Sequence, residues 1–150
     1  MPPPKPILCG GREYEMSTTS PLLSGRVEKV MSRSVVLMLE GVPMAEARAI
    51  AVQYDYNGFP IVTQEGRLVG ILTKGDLLRA ARATLEGPGV WQDSVARWMA
   101  HGVLALRAGD SLATAVDLMV ESGLRSLPVI DDRGLVIGIV SRNDLMAAIC

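Results

Sequence analysis

Two short segments of this chain carry a hydroxyl and, three residues later, a carboxylate: Thr73 with Asp76, and Ser141 with Asp144. Each pair follows a run of β-branched residues and precedes a helical pattern, so the spacing predicts a capping box at a helix start. An aspartate in that place can also accept two hydrogen bonds from vicinal ribose hydroxyls, and a helix N-terminus beside a hydroxyl suits a phosphate. Capping and ligand binding are compatible, and both interpretations stay open.

Basic residues near the two pairs are not equivalent. Lys74 and Arg142 directly follow the hydroxyls, where they either face phosphates or are solvated. Arg125 precedes Pro128 by three residues, and a guanidinium matches phosphate geometry well, whereas the first half has Asn57 at this place. We therefore expect two unequal sites. If only one of them binds a phosphorylated ligand, we expect it to be the second. The first site would contain Asn57, Thr73, Lys74 and Asp76, and the second Arg125, Ser141, Arg142 and Asp144.

The two sites belong to an internal duplication. A shift of 68 residues superimposes the second half on the first without a gap and keeps glycines, prolines and an aspartate in register. The matched pairs include Val27 with Val95, Met31 with Met99, Pro60 with Pro128 and Gly70 with Gly138. Chance does not produce such a register, so the chain contains two copies of one unit.

Each copy predicts the order βαββα. Apolar and β-branched runs predict strands at 35–39 and 103–106. Further strands are expected at 59–63 and 67–73, and at 127–131 and 135–141, each pair forming a hairpin around a glycine turn.

Helices are expected to start at Pro43 and Ser111, and again near Lys74 and Arg142, while Gly123 suits a C-terminal stop. Apolar residues at helical spacing predict the buried face of the first helix in each copy. These residues are Met44, Ala47, Ala51 and Val52 in the first copy, and Leu112, Ala115, Val116, Met119 and Val120 in the second.

The domain organisation predicted from these patterns has four parts. Residues 1–24 form a flexible Pro-rich tail, 25–85 the first repeat, 86–93 a linker and 94–150 the second repeat. A unit of this size buries little apolar surface alone. We therefore expect an α/β (α+β) fold in which two tandem βαββα repeats pack as a pseudo-twofold pair.

Each copy resembles a CBS domain, the cystathionine-β-synthase-type repeat, and the pair resembles a CBS-pair (Bateman) module. The resemblance covers residues 25–150 and is carried by a G-x-x-[ST]-x-x-D motif after a hydrophobic-Pro-hydrophobic strand. These motifs are Gly70 to Asp76 after Phe59-Pro60-Ile61, and Gly138 to Asp144 after Leu127-Pro128-Val129.

The resemblance implies a regulatory sensor that binds adenosine-containing ligands in clefts between the repeats. Such ligands include AMP, ADP, ATP and S-adenosylmethionine, and no other cofactor is required. It also implies a homodimer that regulates an attached or partner protein.

An adenine ring in such a cleft needs an apolar slot with backbone groups at its edge. For every candidate residue, a place in the ordinary core is an equally open interpretation. The candidates are Val35, Leu37 and Phe59 with Pro60 for the first site, and Val103, Ala105 and Leu127 with Pro128 for the second.

Composition excludes several other classes. A net charge of −1 argues against general nucleic-acid binding, and no apolar run approaches the roughly 20 residues that cross a bilayer. No secretory signal is recognised, which makes the cytoplasm the expected location. One histidine, His101, and two distant cysteines form no zinc pattern, and no nucleophile–base pair indicates an enzyme.

The leading hypothesis is thus a stand-alone CBS-pair module that binds an adenosine nucleotide and signals its occupancy to a partner. The alternative is a scaffold that dimerises without a ligand. A third and weaker hypothesis is redox regulation through Cys9 or Cys150. We expect Trp91 and Trp98, which flank the linker, to pack at the interface of the repeats or of a dimer.

Overall fold

The computed structural model describes residues 24–149 and, for the main chain alone, the segments 7–9 and 12–14. These segments form a two-stranded antiparallel pair, β1 (Ile7–Cys9) with β2 (Arg12–Tyr14). Most of the tail predicted at 1–24 lies outside the described residues. The side chain of Cys9 and all of Cys150 lie outside them too. The redox hypothesis therefore concerns residues that the structure does not describe.

Two three-stranded sheets form the centre of the structure, one in each repeat, and confirm the predicted βαββα order. In each sheet the first strand is parallel to the second, and the second is antiparallel to the third. The strands are β3 (Met38–Leu39), β4 (Gly58–Val62), β5 (Leu68–Thr73), β6 (Leu106–Arg107), β7 (Ser126–Ile130) and β8 (Val136–Ser141). The helices are α1 (Met44–Gln53), α2 (Lys74–Ala83), α3 (Val95–Trp98), α4 (Leu112–Ser122) and α5 (Arg142–Ile149), with 3-10 turns at Val27–Lys29 and Val90–Gln92.

The hairpins and helix starts occur where the sequence predicts them. Gly66 and Gly134 close the two hairpins with φ of 90° and 82°, the left-handed region that glycine adopts without strain. Pro43 and Ser111 are the N-caps of α1 and α4, and Gly123 ends α4 with a φ of 72°.

The predicted strands 35–39 and 103–106 are wrong in extent. Only Met38–Leu39 and Leu106–Arg107 pair with a neighbouring strand. The residues before them do not join these sheets, because Ser32 and Ala100 each form an antiparallel bridge to the last strand of the other repeat. From there the chain crosses back to its own sheet, and the intervening residues, 33–37 and 101–105, belong to no strand.

The two repeats exchange the segments that lead into them, 27–31 and 95–99, which we call the leading segments. Val27 and Met31 are buried in the core of the second repeat, and Val95 and Met99 in the core of the first. Each exchange is held by backbone hydrogen bonds: Val27 N donates to Asp110 O, and Val95 N to Val42 O, both at 2.8 Å. Burying one valine stabilises by about 1.5–3 kcal/mol, so each core depends on the other repeat.

The predicted helix faces are confirmed at their centres and wrong at one edge. Met44, Ala47 and Ala51, and likewise Leu112, Ala115 and Met119, are buried, and Val116 is half-buried. Val52 and Val120 are 84% and 73% exposed. At 3.6 residues per turn Val120 lies about 80° around the helix from Leu112, at the margin of the buried face.

Both tryptophans pack on the first core, where the leading segment of the second repeat enters it. Arg48, which interrupts the apolar pattern of α1, lies over the ring of Trp91 at 4.3 Å and so covers it as a cation–π partner. Trp98 Nε1 donates to Asp93 Oδ2 at 3.1 Å. His101 is exposed. Among the described residues, no helix is both long enough and apolar enough to cross a membrane.

Candidate functional site

A cavity of about 400 Å³ opens where the first repeat meets the end of β8, and we call it the Asp144 cleft. Segments 32–36 and 55–60 of the first repeat form one wall, and β8 with the start of α5 forms the other. The lining residues are Ser32, Ser34, Val35, Val36, Asp55, Tyr56, Asn57, Gly58, Pro60, Ser126, Ile139, Ser141, Asn143 and Asp144.

The exchange of leading segments explains why this cleft combines both repeats. Ser32 and Ile139 share two backbone hydrogen bonds of 2.9 Å, which fix the first repeat's chain against β8. The following residues, 33–37, then return to β3 and pass the N-terminus of α5. A wall from one repeat therefore faces the hydroxyl and carboxylate of the other.

Both predicted capping boxes are present. At α5, Ser141 Oγ accepts from Asp144 N at 3.1 Å, and Asp144 Oδ2 accepts from Ser141 N at 2.8 Å. At α2, the matching distances for Thr73 and Asp76 are 3.2 and 2.8 Å. The other carboxylate oxygen of each aspartate, Oδ1, takes no part in the capping box.

The remaining oxygens of the two aspartates have different surroundings. Asp144 is half-buried and lines its cleft, and among the described residues no group donates to its Oδ1. Asp76 is buried, and its Oδ1 accepts from the Arg79 guanidinium at 2.6 Å. Only Asp144 therefore presents an unused acceptor to a ligand.

A second cavity of about 360 Å³ is related to the first by the pseudo-twofold, and we call it the Lys74 cleft. Lys74 lines it and also pairs with Asp55 at 3.1 Å. Arg125 lines it as well, is exposed, and makes no ion pair with any described residue. The lining residues are Asn57, Gly58, Ile71, Thr73, Lys74, Gly75, Gly123, Leu124, Arg125 and Ser126.

The two cavities divide the expected site residues differently from their grouping by repeat. Arg125 lines the cavity that contains Thr73 and Lys74, whereas Ser141 and Asp144 line the cavity that contains Val35. Asn57 borders both. Residues near the pseudo-twofold axis thus line a cleft together with residues of the other repeat.

Arg142 lies in neither cleft. Its guanidinium donates to the carbonyls of Gly123 and Leu124, at 2.9 and 3.2 Å, and so ties α5 to the end of α4. Its expected contact with a phosphate is not favoured by this position.

The apolar candidates divide between the cleft and the core. Val35 and Pro60 line the Asp144 cleft, while Phe59 and Leu127 are wholly buried in the two cores. The others line neither cleft: these are Leu37, which is exposed, Val103, Ala105 and Pro128.

Sequence reasoning missed several lining residues, above all Ser32, Ser34 and Ile139. It missed Arg79 too. The shift of 68 residues pairs Arg79 with Ala147 and thereby marks a difference between the copies, but only the structure shows that Arg79 reaches Asp76.

Comparisons with known proteins agree with this architecture. The CBS domain family model matches residues 27–83 and 95–150. A homoserine O-acetyltransferase from Methanohalophilus mahii is 30% identical over 123 residues, 82% of this chain and 24% of that protein, so the chain spans about a quarter of this relative.

Two solved structures share the fold. CBSX2 in complex with AMP gives a TM-score of 0.74 at 25% identity, over 82% of this chain and 94% of that one. The CBS domain pair of protein MJ0100, in complex with 5'-methylthioadenosine and S-adenosyl-L-methionine, gives 0.71 at 24% identity, over 81% and 93%.

Proposed function

This chain belongs to the CBS domain family, and from that premise we propose that it is a regulatory module that binds an adenosine-containing ligand in the Asp144 cleft. The observation that carries the proposal is Asp144 itself, which lines the cleft with one carboxylate oxygen unused. An ionised carboxylate is a strong acceptor for the two vicinal hydroxyls of a ribose. CBSX2, a relative of the same fold, was solved with AMP.

The adenine ring would occupy the apolar side of the cleft. Val35, Val36, Pro60 and Ile139 line this side. Among the described residues, no hydrogen bond uses the main chain of Val35 or Val36. Because these residues are unpaired with a strand, their N–H and C=O groups are available to the edge of a base.

Phosphate groups would point toward the pseudo-twofold axis. Asn57, Gly58 and Ser126 border both clefts, and Arg125, directly before Ser126, has no ion-pair partner among the described residues. An unpaired guanidinium can approach phosphate oxygens in a bidentate manner. In this arrangement Arg125, which lines the adjoining Lys74 cleft, serves a ligand whose ribose is held by Asp144.

A calorimetric titration tests the proposal. We expect saturable heat with AMP and none with CMP at equal concentration, because the unpaired main chain of the cleft recognises the purine edge. ATP and S-adenosylmethionine, titrated in parallel, identify the preferred substituent on the ribose. Absence of binding and of a thermal shift with all adenosine ligands at millimolar concentration would contradict the proposal and favour a scaffold that works without a ligand.

Regulation would follow from the two-sided construction of the cleft. A ligand there contacts segments of both repeats, so binding favours one relative position of the repeats over others. A partner protein that distinguishes these positions would respond to occupancy, since ligand and partner affinities are linked reciprocally. The proposed role involves no catalysis by this chain, and a cytoplasmic location stays a prediction.

Homodimerisation is part of the proposed function. In the second repeat, α4 and α5 form an apolar groove of about 400 Å³, and Val120 and Met146 on it are 73% and 60% exposed. Their counterparts in the first repeat, Val52 and Leu78, are 84% and 72% exposed. Equivalent apolar surfaces at both ends of a pseudo-twofold module suit a symmetric partner copy.

We expect Val120→Glu to convert a dimer into a monomer, because it places a charge on this apolar surface. Light scattering coupled to size exclusion measures the mass at several concentrations. Thr114→Glu, which adds the same charge to another exposed position of α4, should leave the dimer intact. A parent chain that runs as a monomer throughout would contradict dimerisation through these helices.

A further inference from the structure

We propose that the module binds one adenosine ligand per chain, because Arg79 occupies the acceptor on Asp76 that a ribose would need in the first repeat. This inference rests on the proposed function, since it assumes that the free carboxylate of Asp144 binds such a ligand. It assigns to Arg79 the role of an internal occupant that sets the stoichiometry.

The contacts of Asp76 leave neither of its carboxylate oxygens free for a second ribose. Its Oδ2 accepts from Thr73 N at 2.8 Å, and its Oδ1 accepts from Arg79 at 2.6 Å. Its side chain is 8% exposed, whereas that of Arg79 is 57% exposed. The guanidinium thus covers the carboxylate from the solvent side.

The shape of the Lys74 cleft agrees with this occlusion. Asp144 lines its own cleft, but Asp76 does not line the Lys74 cleft, although Thr73, Lys74 and Gly75 do. Segment 32–36 contributes to the first cavity, while its counterpart, 100–104, contributes nothing to the second. The second cavity therefore lacks both the acid and the apolar wall.

A ribose would have difficulty displacing Arg79. The hydroxyls of a ribose are neutral donors, and a hydrogen bond from a cation to a carboxylate is roughly twice as strong as one between neutral groups. Removing the cation would also leave a buried carboxylate without a counter-charge. Arg79 lies near a second acceptor as well, the carbonyl of Trp98 at 3.4 Å.

The second repeat has no equivalent of the Arg79–Asp76 ion pair, because Ala147 occupies the position equivalent to Arg79. Ala147 is exposed and follows Asp144 by three residues on α5, the spacing of Arg79 from Asp76 on α2. Val30 is the counterpart of Trp98 in the shift of 68 residues. One substitution in each repeat should therefore exchange the states of their two aspartates.

A reciprocal pair of variants tests the inference by calorimetric titration of AMP into the full chain. The parent should bind one AMP per chain. Arg79→Ala should expose Asp76 and add a second, weaker AMP site, weaker because segment 100–104 still gives the Lys74 cleft no apolar wall. Arg79→Met, which keeps the aliphatic stem on α2, should do the same. Ala147→Arg should place a guanidinium on Asp144 and lower the AMP affinity at least tenfold. Far-UV circular dichroism checks that each variant is folded.

The outcomes separate this inference from the proposed function. A parent that binds two AMP molecules, Arg79 variants that still bind one, or an Ala147→Arg chain with parental affinity would each overturn the role of Arg79 while leaving the Asp144 site standing. No AMP binding by the parent or by any variant would overturn the proposed function itself, and the role of Arg79 with it. A further chain, Arg79→Ala with Asp144→Ala, should bind one AMP, now at Asp76 and more weakly than the parent binds it at Asp144.

Discussion

Asp144→Ala is expected to weaken AMP binding about 100-fold, because it removes the acceptor of two ribose hydrogen bonds, each worth about 1.5 kcal/mol to a charged group. Titration of AMP into the folded variant measures the loss. The same substitution removes the capping box at α5, which costs about 1 kcal/mol of stability, so a fall in the melting temperature alone proves nothing about the ligand.

Asp76→Ala is the matched control for this prediction. It removes the corresponding cap at α2, where Asp76 and Thr73 exchange the same two hydrogen bonds, and it frees Arg79. We expect a comparable loss of stability with AMP affinity unchanged. Equal loss of affinity in both variants would show that capping, rather than ribose binding, explains the role of Asp144.

The features that the sequence predicts correctly are those fixed by local spacing. A hydroxyl three residues before an acid suffices to predict both capping boxes, and Gly66 and Gly134 mark turns that only a left-handed residue closes easily. The shift of 68 residues adds the order of elements and the pseudo-twofold. Predicting these features requires no knowledge of which residues of the other repeat pack against them.

The division of the cleft between the repeats could not be read from the duplication. A leading segment can pack on its own repeat or on the other one. The shift of 68 residues matches the same residue pairs in both cases and so does not distinguish them. The strand predicted at 35–39 is too long for the same reason: its apolar residues satisfy the pattern of a strand, yet Val35 and Val36 line a cavity. Tertiary exchange overrides local propensity here.

The exchange of the leading segments explains why both motifs contain a glycine. A Cβ added at Gly70 would lie 2.4 Å from Met99 Sδ and 2.9 Å from the Ala100 carbonyl. At Gly138 it would lie 2.7 Å from Met31 Sδ and 3.0 Å from the Ser32 carbonyl. The leading segment of one repeat crosses the last strand of the other so closely that a side chain at the crossing displaces it.

Gly70→Ala and Gly138→Ala are each expected to destabilise the fold by about 2 kcal/mol, because a methionine can move away but the bridged backbone carbonyl cannot do so without strain. In a chain of this length that corresponds to a fall of roughly 6 °C in the melting temperature. Calorimetry or thermal unfolding followed by circular dichroism measures it. Gly41→Ala is the control, since nothing lies within 4 Å of its added Cβ.

Ligand binding should distinguish the two glycine variants. Gly138→Ala displaces Ser32, whose following residues form the wall of the Asp144 cleft, so AMP affinity should fall together with stability. Gly70→Ala displaces Met99 and Ala100, which line no part of that cleft, so AMP affinity should be preserved in the folded protein. Parental affinity in Gly138→Ala, or a loss confined to Gly70→Ala, would contradict a cleft built across the exchanged segments, because the wall that 32–36 supplies is fixed only through its bridge to Ile139.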